Sequence, residues 1–170
     1  MKRMHVLRFA AVLALAVWLG GLVVLGFTAP TIFDVMAAQK VVEGRALAGA
    51  VFGEMFRRFH DVAYVCGAFV LLSLIIRRVL GPRPRRFGVR FALGIAMVVV
   101  TVYSGLVILP KISRLREEIG VRTAVASLPV DDPRRVAFEG LHRQSGLVQL
   151  IPLAGACVLL FLELSDYESN

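Results

Sequence analysis

Four long apolar runs alternate with charged segments along the chain. The first extends from Val6 to Phe27 and is broken only by Arg8, whose side chain can snorkel to the interface. The second runs from Val62 to Ile76, the third from Phe91 to Leu109 without a formal charge, and the fourth from near Leu141 to Leu162. An α-helix needs about 20 apolar residues to cross a hydrocarbon core. The second run has only 15 and stops at Arg77-Arg78. Its span is therefore taken from residue 57, with Arg57, Arg58, His60 and Asp61 at headgroup level and the helix continuing outward past Glu54. The predicted fold is all-α: a polytopic membrane protein whose four transmembrane helices form an antiparallel bundle. Residues 1–170 make a single domain, with spans at about 6–27, 57–76, 91–109 and 141–162.

The segments between the runs carry their own signals. Met1-Lys2-Arg3 resembles the start of a signal peptide, but the apolar run is too long and no A-x-A site follows, so an uncleaved first span is expected. Pro30 is expected to end that helix. The stretch MAAQKVVEGRALAGAVFGEMF looks helical, and Ala46, Gly49, Ala50 and Gly53 supply a small-residue face for close helix contact. RRVLGPRPRRFGVR reads as a short arginine-rich loop. After Leu109-Pro110, ISRLREEIG reads as a separate short surface helix, and Pro129 and Pro133 bracket Asp131-Asp132 as a turn. Pro152 is expected to kink the fourth helix, and ELSDYESN is a short acidic tail.

Composition narrows the class further. Of the 170 residues 58% are hydrophobic, and a mean hydropathy of +0.75 is not that of a soluble domain. The formal charge of +8 does not point to nucleic acid, because the arginines sit at the ends of apolar runs, where they fix topology. Nine of the 20 Lys and Arg residues fall on the N-terminus and the arginine loop, whereas the other 11 are spread over two loops totalling roughly 60 residues. That density places both termini in the cytoplasm. Cys66 and Cys157 stand ~16 Å and ~9 Å above the inner ends of their helices, at 1.5 Å per residue. The mismatch disfavours a disulfide, and both read as packing residues.

The chemistry gathers on the outer side. Phe138, His142, Ser145 and Gln149 share one helical face at i, i+4, i+7 and i+11. His60 and His142 lie ~25 and ~31 Å above the inner ends of their helices, at matched depth. If the second and fourth helices face each other, Glu54, Arg57, His60, Asp61, Glu139, His142, Ser145 and Gln149 form one polar cluster, with Arg57 and Asp61 paired at i, i+4. Three readings compete for it. The histidines are axial ligands of a haem, or hold copper or zinc with Met55 or an acid. The cluster is the gate or binding point for a small solute. Or the charges cap helices and satisfy one another. Ligand-type Cys/His spacing is missing, and Ser145 has neither a strained elbow nor an oxyanion hole, so hydrolase chemistry is not supported.

These residues also carry a resemblance. WLGG (Trp18 to Gly21), the A-P-x-x-F turn (Ala29, Pro30, Phe33), L-P-x-I-x-x-L-R (Leu109, Pro110, Ile112, Leu115, Arg116) and F-x-x-L-H-x-x-S (Phe138, Leu141, His142, Ser145) resemble the transmembrane protein 205-like family. Its bacterial members are four-helix membrane domains of unknown function, which implies the bacterial inner membrane. That family usually has Asn where this chain has Gln149. Its fold is similar to copper-resistance-protein-D-like membrane proteins and to a four-helix haem-binding protoporphyrinogen oxidase, so the resemblance implies haem or copper as cofactors. The leading expectation is a non-enzymatic protein that binds or passes a small solute or metal ion around His142. A haem-binding redox protein ligated by His60 or His142 is the runner-up. A scaffold in a homo-oligomer or larger membrane complex is the third.

Overall fold

The structure is a computed structural model that describes residues 2–40, 43–81 and 84–168, with side chains described within 4–165. Helix α1 is Lys2–Ala38, α2 is Gly44–Leu80, α3 is Phe87–Ile119 and α4 is Pro133–Glu168. A 3-10 turn, Val125–Ser127, lies in the connection between α3 and α4. No strand occurs among the described residues. All four helices are long and apolar enough to cross a membrane, so this is an antiparallel, multi-pass bundle. Around the ring the order is α1, α2, α3, α4, and α4 closes back on α1.

Burial follows the helical repeat. The inward positions are Ala11, Leu15, Trp18 and Leu25 on α1, and Ala63, Cys66, Val70 and Leu74 on α2. Gly94, Met97, Thr101, Ser104 and Ile108 do the same on α3, and Pro152, Ala156, Leu159 and Leu162 on α4. Leu15, Trp18, Met97 and Ala156 meet at the centre. The outward faces are apolar as well, as Phe27, Val65, Leu106 and Phe161 show. With lipid outside, apolar transfer does not hold such helices together; close packing and satisfied polar groups do.

The helices outrun the apolar segments that predicted them. A 37-residue helix such as α1 or α2 is about 55 Å long, well beyond a hydrocarbon core of about 30 Å. Pro30 does not end α1. The helix reaches Ala38, with the Thr28 hydroxyl donating to the Val24 carbonyl (2.7 Å) and the Thr31 hydroxyl to that of Phe27 (2.8 Å) on either side of the proline. Nor is ISRLREEIG a separate surface helix. Ser104–Ile108 form a single π turn, closed by Leu109 N–H on the Ser104 carbonyl, and the chain stays helical through Pro110 to Ile119. Both cysteines are free, Cys66 buried and Cys157 exposed.

At the end that carries both termini, one carboxylate ties the ring together. Glu163 of α4 is 4% exposed. It accepts from Arg8 Nε of α1 (3.0 Å), Arg77 Nη1 of α2 (2.9 Å) and Arg90 Nη1 of α3 (2.6 Å). Arg90 also donates to the Leu162 carbonyl (2.7 Å), and Arg8 to the carbonyl of Glu163 itself. Positions that read as topology signals are in part a buried ionic clamp reaching every helix.

Candidate functional site

The π turn in α3 is where polar groups of three helices meet. His60 on α2 is 2% exposed. Its Nδ1 lies 2.9 Å from the Phe56 carbonyl, which can only accept, so Nδ1 carries the proton and Nε2 is the acceptor. Nε2 is 3.1 Å from Ser104 Oγ, so the serine hydroxyl donates to it. The Gln149 amide of α4 in turn donates to Ser104 Oγ at 3.1 Å, and its nitrogen is 3.5 Å from His60 Nε2. A directional chain thus runs from Gln149 through Ser104 and His60 to the α2 backbone. Gly105 makes this close approach possible. A Cβ there would collide with the Tyr64 hydroxyl and meet His60 Cδ2 at 2.8 Å. The widened turn, the glycine and the buried histidine form one feature, and π turns concentrate at functional sites.

One group in the chain is left over. Gln149 Oε1 is buried and has no hydrogen-bond partner. Above it a cavity of ≈ 760 Å³ opens between the helices at the end opposite the termini. Leu22, Leu25, Ala29, Pro30 and Phe33 of α1 and Phe52, Gly53 and Phe56 of α2 form much of its apolar wall. Leu109 and Ile112 of α3 and Phe138 of α4 complete it. The polar lining is Glu54, Arg57, Ser113, Arg116, Glu117, His142, Ser145 and Gln149. This volume falls within the range, about 300–1,000 Å³, of sites that hold one small ligand. Along α2 the cavity-lining stretch 49–57 lies beyond Asp61, which is itself 17 positions, or about 25 Å, from Arg78 near the opposite end.

Of the eight side chains expected to form one cluster, Glu54, Arg57, His142, Ser145 and Gln149 line the same cavity and His60 is bonded beneath it to Ser104 and through that serine to Gln149, whereas Asp61 and Glu139 do not line it. The second and fourth spans are diagonal in the ring, each packed between α1 and α3, so the face-to-face contact the cluster required is not made. His60 and Gln149 do come together, bridged by Ser104 of α3. Glu54 pairs with Arg57 and Arg58 (both 2.8 Å), and Arg57 also lies 3.6 Å from Asp61 on the exposed side of α2. Glu139 pairs with Arg135 on its own helix at 2.8 Å. His142 is exposed to the cavity and stacks on Phe138 with ring centroids 6.2 Å apart, and Ser145 is buried one turn below. Sequence reasoning missed Ser104, Gly105 and Arg116; a glycine directly after a serine mid-span was the available signal.

Haem and copper fit these residues poorly. Both ring nitrogens of His60 are engaged inside the protein, and the second imidazole, His142, lines the cavity, which His60 does not. Among the described residues no three His, Cys, Asp or Glu side chains gather as a metal would require. The small-residue face is also used within the chain: Ala46 is buried, and Gly49, Ala50 and Gly53 line the cavity.

Compared with known proteins, residues 13–120 match a family model described as a domain of unknown function, DUF4149. No curated protein and no solved structure matches the chain.

Proposed function

This chain belongs to the DUF4149 family, and from that premise we propose that it is a solute-binding membrane protein whose ligand is a small amphipathic molecule held in the cavity between its four helices. The observation that carries the reading is the cavity itself: all four helices line it, its wall is largely apolar, and a few polar side chains, among them Arg116, His142, Ser145 and Gln149, are set into it. The density of Lys and Arg at the terminal end, which Arg8, Arg77 and Arg90 share with the buried clamp, supports termini in the cytoplasm and with them a cavity that opens on the outer side of a bacterial inner membrane.

The resemblance to the transmembrane protein 205-like family supports the same place. Ala29, Pro30 and Phe33, then Leu109, Ile112 and Arg116, then Phe138, His142 and Ser145 all line this cavity. His142, the centre of the sequence reading, is part of its wall rather than a ligand in a metal set.

Photolabelling tests the proposal. The protein in nanodiscs is irradiated with a diazirine-bearing long-chain alcohol, and the modified residues are mapped by mass spectrometry. Labels are expected on the cavity stretches 49–57 and 138–149, well above those on the lipid-facing Leu106 and Phe161. Gly53→Trp, where added atoms meet open space, is expected to remove the cavity labels without unfolding the bundle. Uniform labelling of apolar surfaces, unaffected by that substitution, would overturn the reading.

A further inference from the structure

Arg116 gives the cavity a chemical preference that its apolar walls do not. It stands on α3 about two turns beyond the π turn, half-buried, with its guanidinium laid across α2. Nη2 donates to the Ala46 carbonyl at 2.8 Å. Nη1 occupies the space a Cβ on Gly49 would fill, so the glycine is the cradle in which the arginine rests. A guanidinium has five N–H donors, and this is its one hydrogen bond among the described residues. No carboxylate there lies within ion-pair distance of it. Glu117 lines the same cavity without pairing with it, and Glu54 is already taken by Arg57 and Arg58. Arg57 is itself engaged by Glu54 and Asp61. The cavity therefore holds a fixed, partly desolvated cation beside an apolar wall.

We propose that the solute of this site is a long-chain carboxylate, its head on Arg116 and its chain along Leu25, Phe33, Phe52 and Phe138. The planar guanidinium fork matches a carboxylate in a two-point contact. One unpaired cation suits a single negative charge, whereas a dianionic phosphate monoester would call for a second. A single chain also suits the enclosed volume better than a two-chain phospholipid. This rests on the cavity being the binding site, and it adds the ligand's class.

The test uses the protein in nanodiscs of zwitterionic lipid, with the photoactive alcohol as reporter. Unlabelled competitors are a saturated 16-carbon carboxylate, the alcohol of equal length, and vesicles of an anionic phospholipid. The carboxylate is expected to displace the reporter at about a tenfold lower concentration than the alcohol, as one good charge-assisted contact gives. Arg116→Gln should remove that advantage and leave the alcohol's competition unchanged. Arg116→Lys should restore part of it. Gly49→Leu, which keeps the charge but fills its cradle, should behave like Arg116→Gln. Equal competition by carboxylate and alcohol, or an advantage that survives in Arg116→Gln, overturns the ligand class. Displacement by the anionic vesicles at matched concentration overturns it in favour of a lipid headgroup. If the alcohol never labels the cavity, the cavity reading fails instead.

Discussion

Gly67 lies on the face of α2 that receives Trp18. A Cβ there would come within 2.7 Å of Val98 Cγ2 and 3.1 Å of the indole ring. Trp18 is 1% exposed and sits among Leu15, Ala63, Met97 and Ala156, so the indole has no room to move aside, whereas Val98 is only partly buried. Two effects oppose each other when Gly67 becomes Ala. Helix propensity favours the change by up to about 1 kcal/mol. Overpacking a close-packed core costs about 1–3 kcal/mol, and against a fixed indole it should prevail. Gly67→Ala is thus expected to lower the melting temperature in detergent, and Gly67→Leu to lower it further. Gly20→Ala, where a Cβ meets nothing within 4 Å, should leave it unchanged or raise it. A melt in which Gly67→Ala matches the parent would mean the notch is looser than drawn. That Trp18 packs in the core was readable from its mid-span place in an apolar run. Its glycine notch was not, because that depends on the residue of another helix that faces it.

At the scale of elements, helix ends obey local rules. Helix α4 starts at Pro133, whose missing N–H is no loss at the first helical position. Asp132 ahead of it caps the helix, accepting from the backbone N–H of Arg134 (2.8 Å) and from its guanidinium (2.8 and 3.1 Å). Chiefly the side-chain bonds from Arg134, with the backbone N–H in support, hold the Asp132 carboxyl down at about 2. The group is depressed, so the help it gives to folding is fully present above the ordinary value near 3.8 and is lost as pH falls through about 2. Carboxyl-carbon NMR should find its midpoint near 2, and Arg134→Gln should move that midpoint up toward 3.8. A midpoint already near 3.8 in the parent chain would show that the cap is not formed. The four apolar runs gave the number of helices and their sense. Their lengths were not legible from the runs, since α1 continues past Pro30 and a π turn carries α3 through Pro110, neither of which changes the hydropathy pattern. His60 and Gln149 were readable as polar points on spans. Their meeting was expected from a direct facing of the second and fourth helices; the bridge through Ser104, on the helix that separates α2 from α4, was not legible.

For the whole molecule, the two ends of the bundle are built differently. At the far end the helices part around the cavity, and at the terminal end Glu163 draws Arg8, Arg77 and Arg90 into one point. From sequence these arginines look like loop residues, but they stand where side chains turn inward, so charge density alone could not separate anchor from clamp. Losing one partner of a buried ion pair costs about 3–5 kcal/mol, because the charge left behind cannot be solvated. Glu163 serves three partners, so Glu163→Gln should be more damaging than the loss of any single arginine. Among those, side-chain exposures of 1% for Arg90, 10% for Arg77 and 17% for Arg8 predict the order of cost when each is changed to Gln, with Arg90 the greatest. Unfolding in mixed detergent and SDS micelles measures this order directly. A Glu163→Gln variant as resistant as the parent would refute the clamp. If it unfolds early yet still labels in the cavity before unfolding, the two ends act independently, and the clamp serves stability alone. If cavity labelling falls at SDS fractions where the bundle is still folded, the fixed terminal end is what holds the far ends of the helices at the spacing the solute needs.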